Sequence, residues 1–217
     1  MEEYRRWDQP PDSKLQKFMR MRRGVLVNTI IVAVNILIFL LTELTGSSLD
    51  GRNLVRWGAA QTQLIGQQHE YYRLFTCMFL HFGIEHLGNN MLVLVFLGDS
   101  LEREVGRLRY LLIYLIGGLG ASGFSFYMEM SKGESVVSAG ASGAIFAVVG
   151  ALVIVVIRNK GKAGGYSTRQ ILFFAALSLY AGWRNAGVDN AAHLGGLICG
   201  LLLGIILCHR KKRLPYQ

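Results

Sequence analysis

The chain has 217 residues, 52% of them hydrophobic and 17% charged, where globular chains carry about 25% charged; with a mean hydropathy of +0.34, this excludes a disordered chain and argues against a water-soluble domain. Cys77, Cys199 and Cys208 lie far apart with no CxxC pair, so neither a disulfide framework nor a zinc ribbon can be built from them. A net charge of +9 fits nucleic acid, an anionic membrane surface or membrane topology, and the placement of the charges decides among these.

Residues 1–23 hold eleven charges together with Pro10 and Pro11, the composition of a mobile cytoplasmic tail. The uncharged run Gly24 to Thr42 follows. A basic stretch before an apolar run is also how a signal peptide begins, but this run is too long and no small-residue cleavage site follows it, so it reads as a retained first helix. The next segment, about residues 43–85, is too long for a structureless connector and holds Trp57, Tyr71, Tyr72, Phe75 and Phe79. An aromatic interfacial belt and a partly inserted loop that braces the helices are compatible readings of it.

The run His86 to Gly98 is short. It extends to about Gly106 if Asp99, Glu102 and nearby arginines are accepted at its inner end, where long side chains snorkel and carboxylates can be paired. Tyr110 to Met128, Ser135 to Ile157 and Asn190 to Cys208 each approach the roughly 20 residues that cross a hydrocarbon core. Between the last two lies another short run, Gln170 to Trp183, read as a thinner, tilted helix. For the two short runs the alternative is a buried or re-entrant segment. Residues 209–217 form a basic tail.

Six spans leave seven polar segments. The odd-numbered ones carry eighteen Lys and Arg and the even-numbered ones five. That is the positive-inside pattern for an all-α membrane protein of six helices with both termini in the cytoplasm. Nucleic-acid binding is the weaker reading, since the basic residues sit in separate cytoplasmic stubs such as Arg20 to Arg23 and Arg210 to Arg213.

Polar side chains at membrane depth need partners or a function. His86 and Asn90, four apart, share one face near the outer end of their helix. A helix starting near Ser138 puts Ser142, within Gly140-Ala141-Ser142-Gly143, in its first turns at the same end. His193 lies about one turn into the last helix, again at the outer end. An imidazole within reach activates a hydroxyl nucleophile, and the first turn of a helix offers free N–H groups to a developing oxyanion. Gly196, Gly200 and Gly204 on one helix, and Gly143, Ala147, Gly150 and Ala151 on the other, supply small faces for close approach. Each signal alone is weak: G-x-S-G is ordinary helix-packing composition, and His86 with Asn90 can be interhelical glue. Asp189, four before His193, could complete a triad, but a solvated loop is its favoured location.

The combination resembles the rhomboid family of intramembrane serine proteases. His81, His86 and Asn90 reproduce its H-x4-H-x3-N pattern, Gly140 to Gly143 its G-x-S-G, and His193, Gly196 and Gly200 its A-H-x-x-G-x-x-x-G. Tyr72 and Arg73 look like its W/Y-R loop motif, and Glu102 to Gly106 like its E-x-x-x-G segment. The resemblance covers about Val25 to Cys208 and implies a six-helix protease domain over residues 24–208. It implies Ser142 as nucleophile, His193 as base and acid, and His86, Asn90 and the Ser142 N–H as oxyanion hole, with His81 in support and no metal or cofactor. It also implies membrane-protein substrates, cut in the outer part of a transmembrane segment after a small residue and reached laterally past the fifth helix, with Ile171 to Trp183 as a mobile gate. Phe146 stands where many members carry Tyr, so a ring can stack on His193 without donating a hydroxyl; tuned rather than lost activity is expected.

A transporter or channel lined by His and Asn, and a relative that binds membrane proteins without cutting them, are the rivals. The apolar inner halves after Asn90 and His193 speak against the first and the intact Ser/His pair against the second. Small size and the absence of organelle-like targeting point to a bacterial inner membrane.

Overall fold

The computed structural model describes Arg22 and residues 24–159, 162–163, 166–184 and 187–208. The expected N-terminal tail, Arg22 apart, and the basic C-terminal tail lie outside the described residues.

Helix α1 (Leu26–Thr45) buries Asn28, Ile31, Asn35, Phe39 and Thr42, a stripe at helical spacing, and turns Ile30, Leu37 and Leu40 outward. The long segment after it is folded. It contains α2 (Gly51–Arg56), a two-residue strand β1 (Ala60–Gln61), α3 (Thr62–Gln68), α4 (Arg73–Thr76) and a 3-10 turn at Cys77–Phe79. Arg73 organises it: the buried guanidinium pairs with the Glu70 carboxylate and donates to the carbonyls of Val55 at 2.7 Å and Ala59 at 3.0 Å. The Trp57 indole donates to Thr45 Oγ1 at 2.6 Å, which ties the segment to α1. Tyr71, Tyr72 and Phe75 stay exposed at the rim, so bracing and an aromatic rim coexist.

The chain then bends by 89° into a continuous helical run, Gly83–Val105, made of α5 (Gly83–Val93), a π turn (Leu94–Gly98) and α6 (Asp99–Val105). The π turn has a visible cause. Asn28 reaches in from α1 and donates to the Leu94 carbonyl at 2.7 Å and to Asp99 Oδ1 at 2.6 Å, while Tyr110 donates to Asn28 Oδ1 at 2.6 Å. A side chain inserted into the backbone ladder is a recognised source of such a bulge. Glu102, fully buried, accepts the N–H groups of Val27 and Asn28 at 3.0 and 2.7 Å and so caps the positive end of α1. Asp99 pairs with Arg22. The carboxylates that the sequence places at this end of the run are therefore partnered.

Helix α7 (Arg107–Lys132) leads to β2 (Val137–Ser138), which pairs antiparallel with β1, Ala60 opposite Ser138 and Gln61 opposite Val137. Then come α8 (Ser142–Arg158), the short hairpin β3 (Lys162–Ala163) and β4 (Tyr166–Ser167), α9 (Thr168–Arg184) and α10 (Asn190–Leu207). The start of α8 corrects the sequence expectation of a helix beginning near Ser138. Residues 137 and 138 are extended by strand pairing, and Ser142 is the first helical residue.

Every residue from Gly143 to Val153 is buried, so α8 is the central helix, as its all-round apolar sequence requires. It touches α10 almost backbone to backbone. A Cβ at Gly196 would lie 2.1 Å from the Gly143 carbonyl oxygen and one at Gly200 2.0 Å from the Ala147 oxygen. The small faces read from the sequence meet each other. At the far end of α10, the Arg158 guanidinium donates to the carbonyls of Gly204, Ile205 and Cys208, satisfying the last turn.

Among the described residues, α1, α7 and α10 can each cross a membrane by length and composition, and the bent pair Arg73–Phe79 with Gly83–Val105 raises the number to four; Ser142–Arg158 and Thr168–Leu177 are apolar but shorter.

Gly200→Ala should lower unfolding stability in detergent by about 1–3 kcal/mol, the usual cost of forcing a methyl into a filled contact. Gly123→Ala, with nothing within 4 Å of the new atom, should leave it unchanged or raise it by up to about 1 kcal/mol. Paired denaturation curves check both.

Candidate active site

Ser142 opens α8 at the end of the bundle that carries the folded loop, and three contacts deliver it there. The β1–β2 pairing ends at Ser138, the Gly140 N–H donates to the Cys77 carbonyl at 3.0 Å, and the Ala141 N–H donates to His81 Nε2 at 3.4 Å. His81 is buried. Because its Nε2 accepts, the ring proton is assigned to Nδ1.

His86 lies in the first turn of α5, edge-on to His81 with ring centroids 5.2 Å apart. A side chain at Gly140 would come within 2.8 Å of the His86 ring and 3.6 Å of Ser142 Oγ, so imidazole and hydroxyl border one small space that glycine keeps open. Asn90, one turn further along α5, is buried, and its Nδ2 has no hydrogen-bond partner among the described residues.

His193 sits in the first turn of α10, 7% exposed, with its ring stacked on Phe146 at 4.4 Å between centroids and 18° between planes. Phe146 is four residues after Ser142 and so on the same face of α8. A Cβ at Gly143 would be 3.6 Å from Ala192. Ser142 and His193 thus each lie one residue from that contact, with Gly196 closing against Gly143 a turn below. No hydrogen bond joins the Ser142 hydroxyl to His193 in this arrangement, and His193 Nδ1 is buried without a partner among the described residues.

The structure therefore gathers Ser142, His193, His86, Asn90, His81, Phe146, Gly140, Gly143 and Gly196 at one end, with Gly200 a turn further down the α8–α10 seam. It does not bring Arg73 or Glu102 into that group. Arg73 holds the loop together and Glu102 caps α1 at the opposite end.

Asp189 corrects its expected place in a solvated loop. It is the N-cap of α10: Oδ1 accepts the Ala192 N–H at 2.8 Å, and Oδ2 accepts the hydroxyls of Ser125 and Ser138, both at 2.7 Å. An Asp immediately before an apolar helical run is an N-cap signature and could have placed it; nothing local marks Ser125 or Ser138 as its partners.

These features define a polytopic helical bundle with a serine at the head of its central helix and an imidazole on the neighbouring helix. A family model described as the Rhomboid domain matches residues 68–210. Over 176 residues the chain is 39% identical to Rhomboid protease GluP of Bacillus subtilis (strain 168), covering 81% of this chain and 34% of that one. It is 38% identical over 163 residues to RHOMBOID-like protein 1 of Arabidopsis thaliana, covering 73% and 40%. It is 34% identical over 220 residues to Rhomboid protease AarA of Providencia stuartii, covering 89% and 78%. The chain belongs to the rhomboid family and, with its long apolar helices, is an integral membrane protein. It spans less than half the length of the first two of these relatives.

Phe146→Leu keeps an apolar side chain but removes the flat partner of His193. Unfolding stability should fall by about 0.5–1.5 kcal/mol, the extra worth of a stacked ring pair, as read by thermal denaturation in detergent.

Proposed function

We propose that the chain is an intramembrane serine endopeptidase that cleaves membrane-protein substrates near the outer leaflet. The observation that carries this reading is the placement of a buried imidazole, stacked on Phe146, across the Gly143–Gly196 contact from the serine that begins α8. Two of the relatives carry the name rhomboid protease, which points the same way.

In this reading Ser142 Oγ attacks the scissile carbonyl as His193 takes its proton, and His193 then protonates the leaving amine. Catalytic hydrogen bonds are commonly loose before substrate arrives. The oxyanion meets the Ser142 N–H, unpaired in the first helical turn and at the positive end of the α8 dipole. The spare Nδ2 of Asn90 and the His86 ring add side-chain donors. His81 acts one step back, by holding the Ala141 backbone. Water then hydrolyses the acyl-enzyme by the same two residues in reverse roles.

Six spans with both termini in the cytoplasm match the Lys and Arg distribution, and a bacterial inner membrane fits the bacterial sources of two of the relatives. The substrate enters laterally between α5 and α9. A cavity of 280 Å³ lies between them further toward the inner side, where the lower part of α5 and the π turn face the start of α9, lined by Leu92, Phe96, Tyr166, Gln170 and Phe174 among others. Of the proposed gate Ile171 to Trp183, the side chains of residues 178, 179 and 181–183 lie outside the described residues.

Purified protein in proteoliposomes, offered a panel of single-span proteins, should generate new termini that mass mapping finds near the outer end of the span. Ser142→Ala and His193→Asn should abolish them, and Ser142→Ala should also lose labelling by a fluorophosphonate. Equal cleavage by wild type and Ser142→Ala would reject the assignment. Asn90→Ala should slow turnover by about 100- to 1000-fold, as loss of one oxyanion donor does elsewhere; an unchanged rate in folded protein removes Asn90 from the site.

A further inference from the structure

We propose that Asp189 is a positioning residue that holds the helix carrying His193 and the strand delivering Ser142 in one register. For its kinetic consequence this rests on the protease reading above.

Asp189 contacts the first turn of α10 twice: its carboxylate accepts the Ala192 N–H at 2.8 Å and its own carbonyl accepts the His193 N–H at 3.2 Å. The other carboxylate oxygen accepts two hydroxyls from outside that helix. Ser138 Oγ, at 2.7 Å, belongs to β2, four residues before Ser142. Ser125 Oγ, also at 2.7 Å, belongs to α7. Three elements thus converge on one carboxylate: α10 carries the proposed base, and β2 leads four residues on to the proposed nucleophile at the head of α8.

The link reaches further. Ser125 is also 3.3 Å from Glu129 Oε1, but a hydroxyl has one proton to donate, and the nearer Asp189 takes it. Glu129 Oε2 accepts the Thr62 hydroxyl at 2.7 Å, and the Thr62 N–H donates to the Val136 carbonyl at 3.3 Å. The folded loop, α7, β2 and α10 are therefore joined by side-chain hydrogen bonds at the end of the bundle where the site lies.

Asp189 is not placed as the third member of a triad. His193 Nδ1 has no partner among the described residues, whereas both Asp189 oxygens are engaged elsewhere. Its action on the imidazole passes through the backbone, and a displacement of about 1 Å between reacting groups is enough to cost on the order of 100-fold in rate.

The test uses full-length protein in nanodiscs, a cleavable single-span substrate and the variants Asp189→Ala, Asp189→Asn, Ser138→Ala and the Ala/Ala double. Asp189→Ala should lower kcat by about 10- to 100-fold with KM little changed. Asp189→Asn should recover most of that loss, because its oxygen still accepts the Ala192 N–H and its amide can donate to the two serine oxygens. If Asn is as damaging as Ala, the charge of Asp189 acts on the imidazole directly and the positioning role is overturned. The Ser138→Ala loss should be absent once Asp189 is Ala; additive losses would break the link.

Hydrogen exchange supplies a readout that needs no catalysis. Asp189→Ala should speed amide exchange in both residues 137–142 and residues 190–193, and Asp189→Asn in neither. Faster exchange at 190–193 alone overturns the proposal even in a protein that cuts nothing, and faster exchange at both sustains it in a protein whose protease assignment has failed.

Discussion

Everything in this molecule depends on two helix backbones lying almost in contact. In lipid there is no hydrophobic drive to bring apolar helices together, so association relies on van der Waals packing and on the absence of side chains where the backbones meet. The α8–α10 seam satisfies that demand with Gly143, Ala147, Gly150 and Ala151 against Gly196, Gly200 and Gly204. Pairing a serine on one helix with an imidazole on the other is possible because nothing larger stands between their axes. The same contact makes the geometry unforgiving, since a methyl added at Gly196 or Gly200 meets a carbonyl of α8 and pushes Ser142 and His193 apart.

Packing by small residues sets distance but resists sliding poorly, and the polar groups supply what is missing. An unpartnered polar atom in a low-dielectric interior is expensive, so a buried polar network that is well satisfied admits few alternative registers. At one end Asn28, Asp99, Glu102 and Tyr110 lock α1 to the π turn and to α7. At the other, Asp189 and Glu129 draw hydroxyls from α7, β2 and the loop. The fully buried middle of α8 between them is apolar throughout. Register is thus specified at the ends and proximity in the middle.

Much of this was legible in the residues because the relevant signals are local. Runs without charge marked the helices, Gly and Ala at four-residue spacing marked the seam, and His86 with Asn90 declared a shared face by spacing alone. What escaped had its cause far along the chain. The π turn at Leu94–Gly98 depends on a side chain 66 residues away, and the late start of α8 depends on β1 pairing with residues 137 and 138. Neither leaves a mark in its own segment. Asp189 is a mixed case: its capping role is written in the residues that follow it, whereas its bonds to Ser125 and Ser138 exist only once three elements have converged. The apolar runs also misjudge span length, because hydropathy continues through Ser135 to Ala141 while the helix does not.

The site itself combines a loosely tethered ring with a tightly tethered backbone. Among the described residues His193 Nδ1 has no hydrogen-bond partner, and Phe146 can offer its face but no hydroxyl. The plane of the imidazole is therefore set by stacking on Phe146. Its height and approach must then come from the helix that carries it. That places the burden of orientation on the first turn of α10, where Asp189 accepts the N–H groups of both Ala192 and His193. A tyrosine at position 146 could share that burden from the α8 side. With phenylalanine there, the cap of α10 and the serines bonded to it become the principal means of bringing the proposed base to the proposed nucleophile.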